Sequence, residues 1–271
     1  MNLKRIISGL IGFPIVVLIF LLGNKYVIDI AVTILAVISV HEYTHCFKTS
    51  NKANPVSWIS YLSCALILAI NIVPNEYILP IVGVYIPFVI LALFLHIIIT
   101  DLKTTVLDVA VTCFGIIYLV LFYSFIPMVY GMENGKFFVW YTILSAWGTD
   151  VFAYAVGRRI GKHKFSQISP NKSIEGCVAG TVGAIILTLI YTVILNKCFN
   201  YNINYIIISV IALVLSLVGQ VGDFAASSIK RFTGVKDYSN LIPGHGGILD
   251  RFDSVILVAP FVYSAIILFI K

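Results

Sequence analysis

Long apolar runs alternate with short polar connections along almost the whole chain. Nine such runs lie near residues 5–22, 27–44, 57–73, 78–99, 106–130, 137–156, 177–195, 203–226 and 254–270. A bilayer core about 30 Å thick needs roughly 20 mostly apolar residues per helix, so the pattern predicts an all-α polytopic integral membrane protein with about nine transmembrane helices and short loops. The two longest polar stretches, 157–176 and 227–253, leave no room for a separate soluble domain of ordinary size. Residues 1–140 are expected to supply N-terminal and middle helices, and residues 141–271 a region carrying both polar loops.

Composition agrees: 60% of residues are hydrophobic and 11% charged, with a mean hydropathy of +1.01, against roughly 25% charged in a soluble domain. Lys4 and Arg5 followed by apolar residues resemble a secretory signal, but no Ala-x-Ala-like cleavage site follows before Asn24. This stretch is therefore expected to be the first membrane helix. The five cysteines are scattered without a Cys-x-x-Cys pair, which favours packing over zinc or redox roles.

Charge supplies the orientation, because Lys and Arg concentrate in short cytoplasmic loops. With the N-terminus inside, fourteen of the eighteen cations sort to the cytoplasmic side, and only Lys25, Lys136, Lys197 and Lys271 fall outside. One missed helix would flip every later loop and spoil this sorting. Both long loops are thus expected in the cytoplasm, beside nucleotides and anionic head groups. Lys48, Lys52 and Lys103 read as helix anchors, whereas in the long loops cations are interleaved with acidic residues, Gly and Ser.

The last loop and its flanks read Gly222-Asp223, then Ser227, Lys230-Arg231, Lys236-Asp237, Pro243-Gly244-His245-Gly246-Gly247 and Asp250-Arg251-Phe252-Asp253-Ser254. An unpaired charge such as Asp223 near the end of an apolar run costs on the order of 3 kcal/mol, so a cationic partner or polar cavity is expected. Asp250 and Asp253, three residues apart, share one helical face at the end whose dipole tolerates anions. Helix capping is the alternative for this pair, more for Asp253 than for Asp250. Carboxylates at a membrane surface suit hard cations such as Mg²⁺. Lys230, Arg231, Lys236 and Arg251 are suited to phosphates, and the glycines around His245 let backbone N–H groups approach an oxyanion. Phosphoryl or nucleotidyl transfer, catalysed mainly by positioning and charge stabilisation, is the chemistry these parts describe.

From Ser227 or Ser228 to Ser254 the motif resembles the signature of phosphatidate cytidylyltransferases. A second stretch is similar to the family's middle segment: Trp147-Gly-Thr-Asp150 to Tyr154, Gly157-Arg158-Arg159-Ile-Gly161-Lys162, and Ser169-Pro170-Asn-Lys172-Ser173-Ile-Glu175-Gly176. The resemblance covers roughly residues 145–270. Ala226 stands where many relatives carry Glu, which weakens a third metal carboxylate from that turn.

The resemblance implies that a phosphatidic acid oxygen attacks the α-phosphorus of CTP and that pyrophosphate leaves, giving CDP-diacylglycerol. It further implies a Mg²⁺ requirement with room for a second cation, a homodimer in a bacterial cell membrane, and no nucleic-acid partner. Asp223 and Asp250 would hold the metal, with Asp150 and Asp253 in support. Lys172, Ser173, Lys230, Arg231, Lys236 and Arg251 would bind phosphates, and Ser227, Asp237, His245, Gly246 and Gly247 would line the substrate pocket. No external base is needed, since a phosphate monoester is already ionised near neutral pH.

A rival pattern is His41-Glu42-Tyr43-Thr44-His45, which matches the His-Glu-x-x-His zinc motif and suggests a membrane-embedded metalloprotease. Its third ligand would come from Asp101, Asp108 or Asp150, none in a suitable setting. A transporter with intramembrane Asp150 and Asp223 is the non-enzyme alternative, but it has no need of two glycine-rich, cation-dense loops.

Overall fold

The computed structural model describes residues 3–270, and within it nothing is specified for the side chains of residues 3–11, 13, 71, 75 and 79. Lys271, and Lys4 and Arg5 as charge carriers, therefore lie outside the described residues. The elements are α1 (Leu3–Leu22), α2 (Lys25–Thr49), α3 (Ser57–Ser63), α4 (Ala65–Ile72), α5 (Asn75–Ile99), α6 (Val106–Gly115), a π-helical segment (Ile116–Leu121), α7 (Phe122–Tyr130), α8 (Gly135–Phe138), α9 (Trp140–Ile160), α10 (Ile174–Cys198), α11 (Tyr205–Thr233), α12 (Leu249–Ala265) and a terminal π-helical turn (Ile266–Ile270). Among the described residues there is no β-strand, only two isolated bridges, Lys164 with Ser173 and Ile242 with Gly246.

Among the described residues six helical stretches are long and apolar enough to cross a bilayer: Lys25–Thr49, Glu76–Ile99, Val106–Tyr130, Ile174–Cys198, Tyr205–Thr233 and Leu249–Ile270. The protein is an all-α polytopic membrane protein. The predicted run 57–73 breaks at Cys64 into two helices of 7 and 8 residues. The hydroxyls of Ser60 and Ser63 bond back to Val56 and Ile59 carbonyls, and the Cys64 N–H bonds to Tyr61 O, one residue short of the α-helical partner. Such back-bonding bends helices.

The chain divides into two compact units, Met1–Gly131 with Phe232–Arg251, and Met132–Arg231 with Phe252–Lys271. In the first, α2 buries Ile28, Val32, Ala36, Val40, Tyr43 and Phe47, a spacing of three and four that keeps one helical face inward. That face meets α3, α4, α6, α7 and the π-helical segment. Tyr43 donates to the Val111 carbonyl at 3.0 Å, and Ser39 and Tyr123 share a buried hydrogen bond of 3.1 Å. By contrast, α5 leaves Ile90, Leu91, Phe94, Leu95, Ile98 and Ile99 exposed, as lipid contact requires.

In the second unit α9 and α10 pack along their length through small residues. A Cβ on Gly183 would lie 2.2 Å from the Phe152 ring, and one on Gly180 would lie 2.7 Å from Thr149 O. Close backbone approach of this kind is a common basis of helix association in lipid. Buried hydroxyls and an amide link the neighbouring helices: Tyr141 with Thr192 at 2.9 Å, Thr149 with Ser216 at 2.7 Å, and Gln220 donating to Thr181 at 2.9 Å.

Candidate active site

In the second unit, the 161–173 loop is built to hold one lysine. Pro170 follows Ser169, and the Lys172 N–H donates to Ser169 O at 3.1 Å, closing a turn with Pro in its favoured second position. Phe165 N–H donates to Lys172 O and Ile174 N–H to His163 O, at 3.1 and 2.9 Å, fixing the backbone on both sides of Lys172. Ser173 then caps α10, its buried hydroxyl accepting the Gly176 N–H at 3.1 Å, as N-cap serines do. At the base of the loop, the Glu175 carboxylate receives the N–H groups of Lys162 and His163 and pairs with the His163 ring at 2.6 Å.

The Lys172 ammonium forms an ion pair with Asp223 Oδ2 from α11. It also sits 4.9 Å from the centre of the Phe224 ring, on whose aromatic system Phe165 stacks at 4.8 Å. Asp150 of α9 and Asp253 of α12 lie within electrostatic range of the same ammonium. Burial acts to lower the Lys172 pKa, but Asp223, then Asp150 and Asp253, outweigh it and hold the group above the ordinary lysine value. Ser254 ties two of these carboxylates together: its hydroxyl donates to Asp150 Oδ2 at 3.2 Å, and its N–H donates to Asp253 Oδ1 at 2.8 Å. Lys230 faces Asp253 electrostatically, and Arg231 donates to the Ile168 carbonyl at 3.2 Å. Ser227 is buried on α11.

Four stretches widely separated in sequence thus bring Asp150, Lys172, Asp223 and Asp253 together. Asp223 has the cationic partner that its place in an apolar run demanded. The donors are hard oxygens gathered around a positive charge, a set whose chemistry fits a divalent cation. Among the described residues no three His, Cys, Asp or Glu side chains converge closely enough to ligate one.

The first unit holds the remainder of the last loop. His245 N–H donates to Ile242 O at 2.9 Å around Pro243-Gly244, and Gly244 has φ +79°, the left-handed third position of a type II turn. Gly246 O accepts Ile242 N–H at 2.9 Å. Asp250, expected as a metal ligand, accepts the N–H groups of Tyr238 and Gly247 through Oδ2, both at 2.9 Å. Asp250 thus ties the backbone ahead of α12 to the helix's first turn, while Asp253 lies among the carboxylates. Lys236, Asp237 and Arg251 are exposed, and His245 and Gly246 half-buried.

Sequence reasoning missed the structural part of Glu42. This residue on α2 is 2% exposed, and its carboxylate accepts Ser239 O–H at 2.6 Å, Ile248 N–H at 3.0 Å and Leu249 N–H at 2.8 Å. The His-Glu-x-x-His pattern singled it out, but for a different chemistry. His41 Nδ1 pairs with Tyr61 Oη at 2.9 Å, and the exposed His41 and His45 rings lie 5.9 Å apart, nearly parallel.

Comparison with known proteins places the whole chain. The profile described as the Cytidylyltransferase family matches residues 3–269. A phosphatidate cytidylyltransferase of Synechocystis sp. is 30% identical over 99% of this chain and 97% of that protein. Phosphatidate cytidylyltransferases of Bacillus subtilis and Staphylococcus haemolyticus are 36% and 37% identical over 51% and 47% of this chain, and those matches span 50% and 48% of the relatives' own lengths.

Proposed function

The chain belongs to the cytidylyltransferase family, and we propose that it joins CTP to phosphatidic acid, yielding CDP-diacylglycerol and pyrophosphate. A phosphatidate oxygen bonds to the α-phosphorus of CTP, and the bond from that phosphorus to the β-phosphate bridging oxygen breaks. The observation that carries this reading is the ion pair of Lys172 with Asp223, with Asp150 and Asp253 in electrostatic range. Such a constellation neutralises and orients phosphates, which is most of what nucleotidyl transfer asks of a protein.

In this reading Lys172, Lys230 and Arg231 bind phosphate oxygens, with Lys236 and Arg251 supplying further positive charge. One or two of Asp223, Asp253 and Asp150 would hold Mg²⁺ together with phosphate oxygens of the nucleotide, with a second cation admissible. When bound, the metal supplies charge neutralisation to the triphosphate. Asp250 keeps the Gly246-Gly247 backbone in shape beside His245, and Ser173 keeps Lys172 at the start of α10. The apolar helices leave the diacylglycerol tails in lipid while the head group reaches the polar loops. Sorting of the cations supports a cytoplasmic N-terminus and a cytoplasmic active site, and the bacterial relatives support a bacterial cell membrane. A homodimer is part of the same reading.

The test is pyrophosphate release by purified protein in detergent with CTP, phosphatidic acid and Mg²⁺. Release that needs both substrates supports the assignment. Release from CTP alone, or none, contradicts it.

A further inference from the structure

We propose that Glu42 is a positioning residue for this reaction: from α2 it fixes the backbone that carries His245, Gly246 and Gly247. The inference rests on the nucleotidyl-transfer reading and adds to it a residue from the N-terminal part of the chain.

The first turn of α12 has N–H groups with no intrahelical partner, and the residues just before it offer no acceptor, since Gly247 and Ile248 lack side-chain oxygens. Glu42 supplies that acceptor from 206 residues away, taking Ile248 N–H on one oxygen and Leu249 N–H on the other. Its negative charge also meets the positive end of the helix dipole. A carboxylate 2% exposed is costly unless bonded, and Ser239 completes the set at 2.6 Å.

The contact constrains sequence at both ends. A Cβ on Gly247 would lie 2.5 Å from Glu42 Oε1, so only glycine leaves room for the carboxylate. Asp250 closes the other side of the same segment through the Gly247 and Tyr238 N–H groups. Two buried carboxylates thus grip one loop, and the helix bearing Glu42 is itself anchored by Val40, Tyr43, Cys46 and Phe47 in the core. A loop gripped this way arrives at the substrate already shaped, and small displacements of such groups are costly in rate.

The experiment compares wild type with Glu42→Gln, which keeps the size but loses the charge and one acceptor oxygen. The expected result is a fall in kcat/KM for CTP on the order of tenfold or more, with the KM for phosphatidic acid and the thermal unfolding midpoint near wild type, and faster amide exchange at Ile248 and Leu249. Wild-type constants for CTP in a folded Glu42→Gln protein overturn the proposal, as does a loss that follows the unfolding midpoint alone. If Glu42→Gln does not fold, Ser239→Ala decides, because it removes one donor and leaves the charge: a raised KM for CTP supports positioning, and unchanged constants refute it. If wild type forms no CDP-diacylglycerol, the reaction assignment fails separately, and equal amide protection in wild type and Ser239→Ala would refute the grip itself.

Discussion

The ammonium of Lys172 is paired with Asp223, and two more carboxylates, Asp150 and Asp253, share its field. Removing the cation leaves three anions facing one another, so Lys172→Ala is expected to lower the rate of pyrophosphate release by about 10²-fold. Asp223→Asn should cost a similar factor, and the double variant should cost much less than the product of the two, because the residues act as a unit. Multiplicative losses would show that the pair does not operate together.

The same pair fixes a pH expectation. A lysine whose pKa is raised on folding contributes stability that is fully present below its unfolded value, and loses it only as pH rises through the folded value. For Lys172 the folded value lies above 10.5. Activity between about pH 6 and 9 should therefore show no limb from this group. A limb in that window that moves upward in Lys172→Arg would contradict the assignment.

Ser173 separates a structural part from a substrate part. Its hydroxyl caps α10, so Ser173→Ala is expected to cost about 1 kcal/mol of stability, read as a lower unfolding midpoint in detergent. Ser173→Asp, which retains a capping oxygen, should recover it. If the alanine variant keeps its midpoint while its KM for CTP rises, substrate contact is the larger part.

Packing of α9 on α10 gives an expectation that is independent of chemistry. Gly183→Ala places a methyl group 2.2 Å from Phe152 and should destabilise by about 1–3 kcal/mol, with relief by Phe152→Leu measured as a return of the unfolding midpoint. Absence of relief would mean that the strain is taken up elsewhere.

Much of this was legible in the chain. Apolar runs of bilayer length located the long helices, since the pattern follows directly from the solvent. The cost of an unpaired charge in such a run made a partner for Asp223 expected. What stayed hidden depends on contacts distant in sequence. Lys172 reads as a phosphate binder, and nothing near it names Asp223 as its partner. Asp250 and Asp253 share one helical face and the sequence favoured Asp250 for the metal, whereas in the structure Asp250 accepts Tyr238 N–H and Gly247 N–H and Asp253 faces Lys172. Glu42 lies about 200 residues from the loop it holds, and its local motif pointed to zinc. The break at Cys64 is a local shift of the backbone ladder, the Cys64 N–H bonding to Tyr61 O, which hydropathy does not register.

The most direct measurement is pyrophosphate release by the purified protein with CTP, phosphatidic acid and Mg²⁺, run beside Asp223→Asn and a His41→Ala, His45→Ala double variant. The account predicts release that requires both substrates, collapses in Asp223→Asn and survives the histidine changes. Release that is indifferent to Asp223, or that disappears with the two histidines, would contradict it.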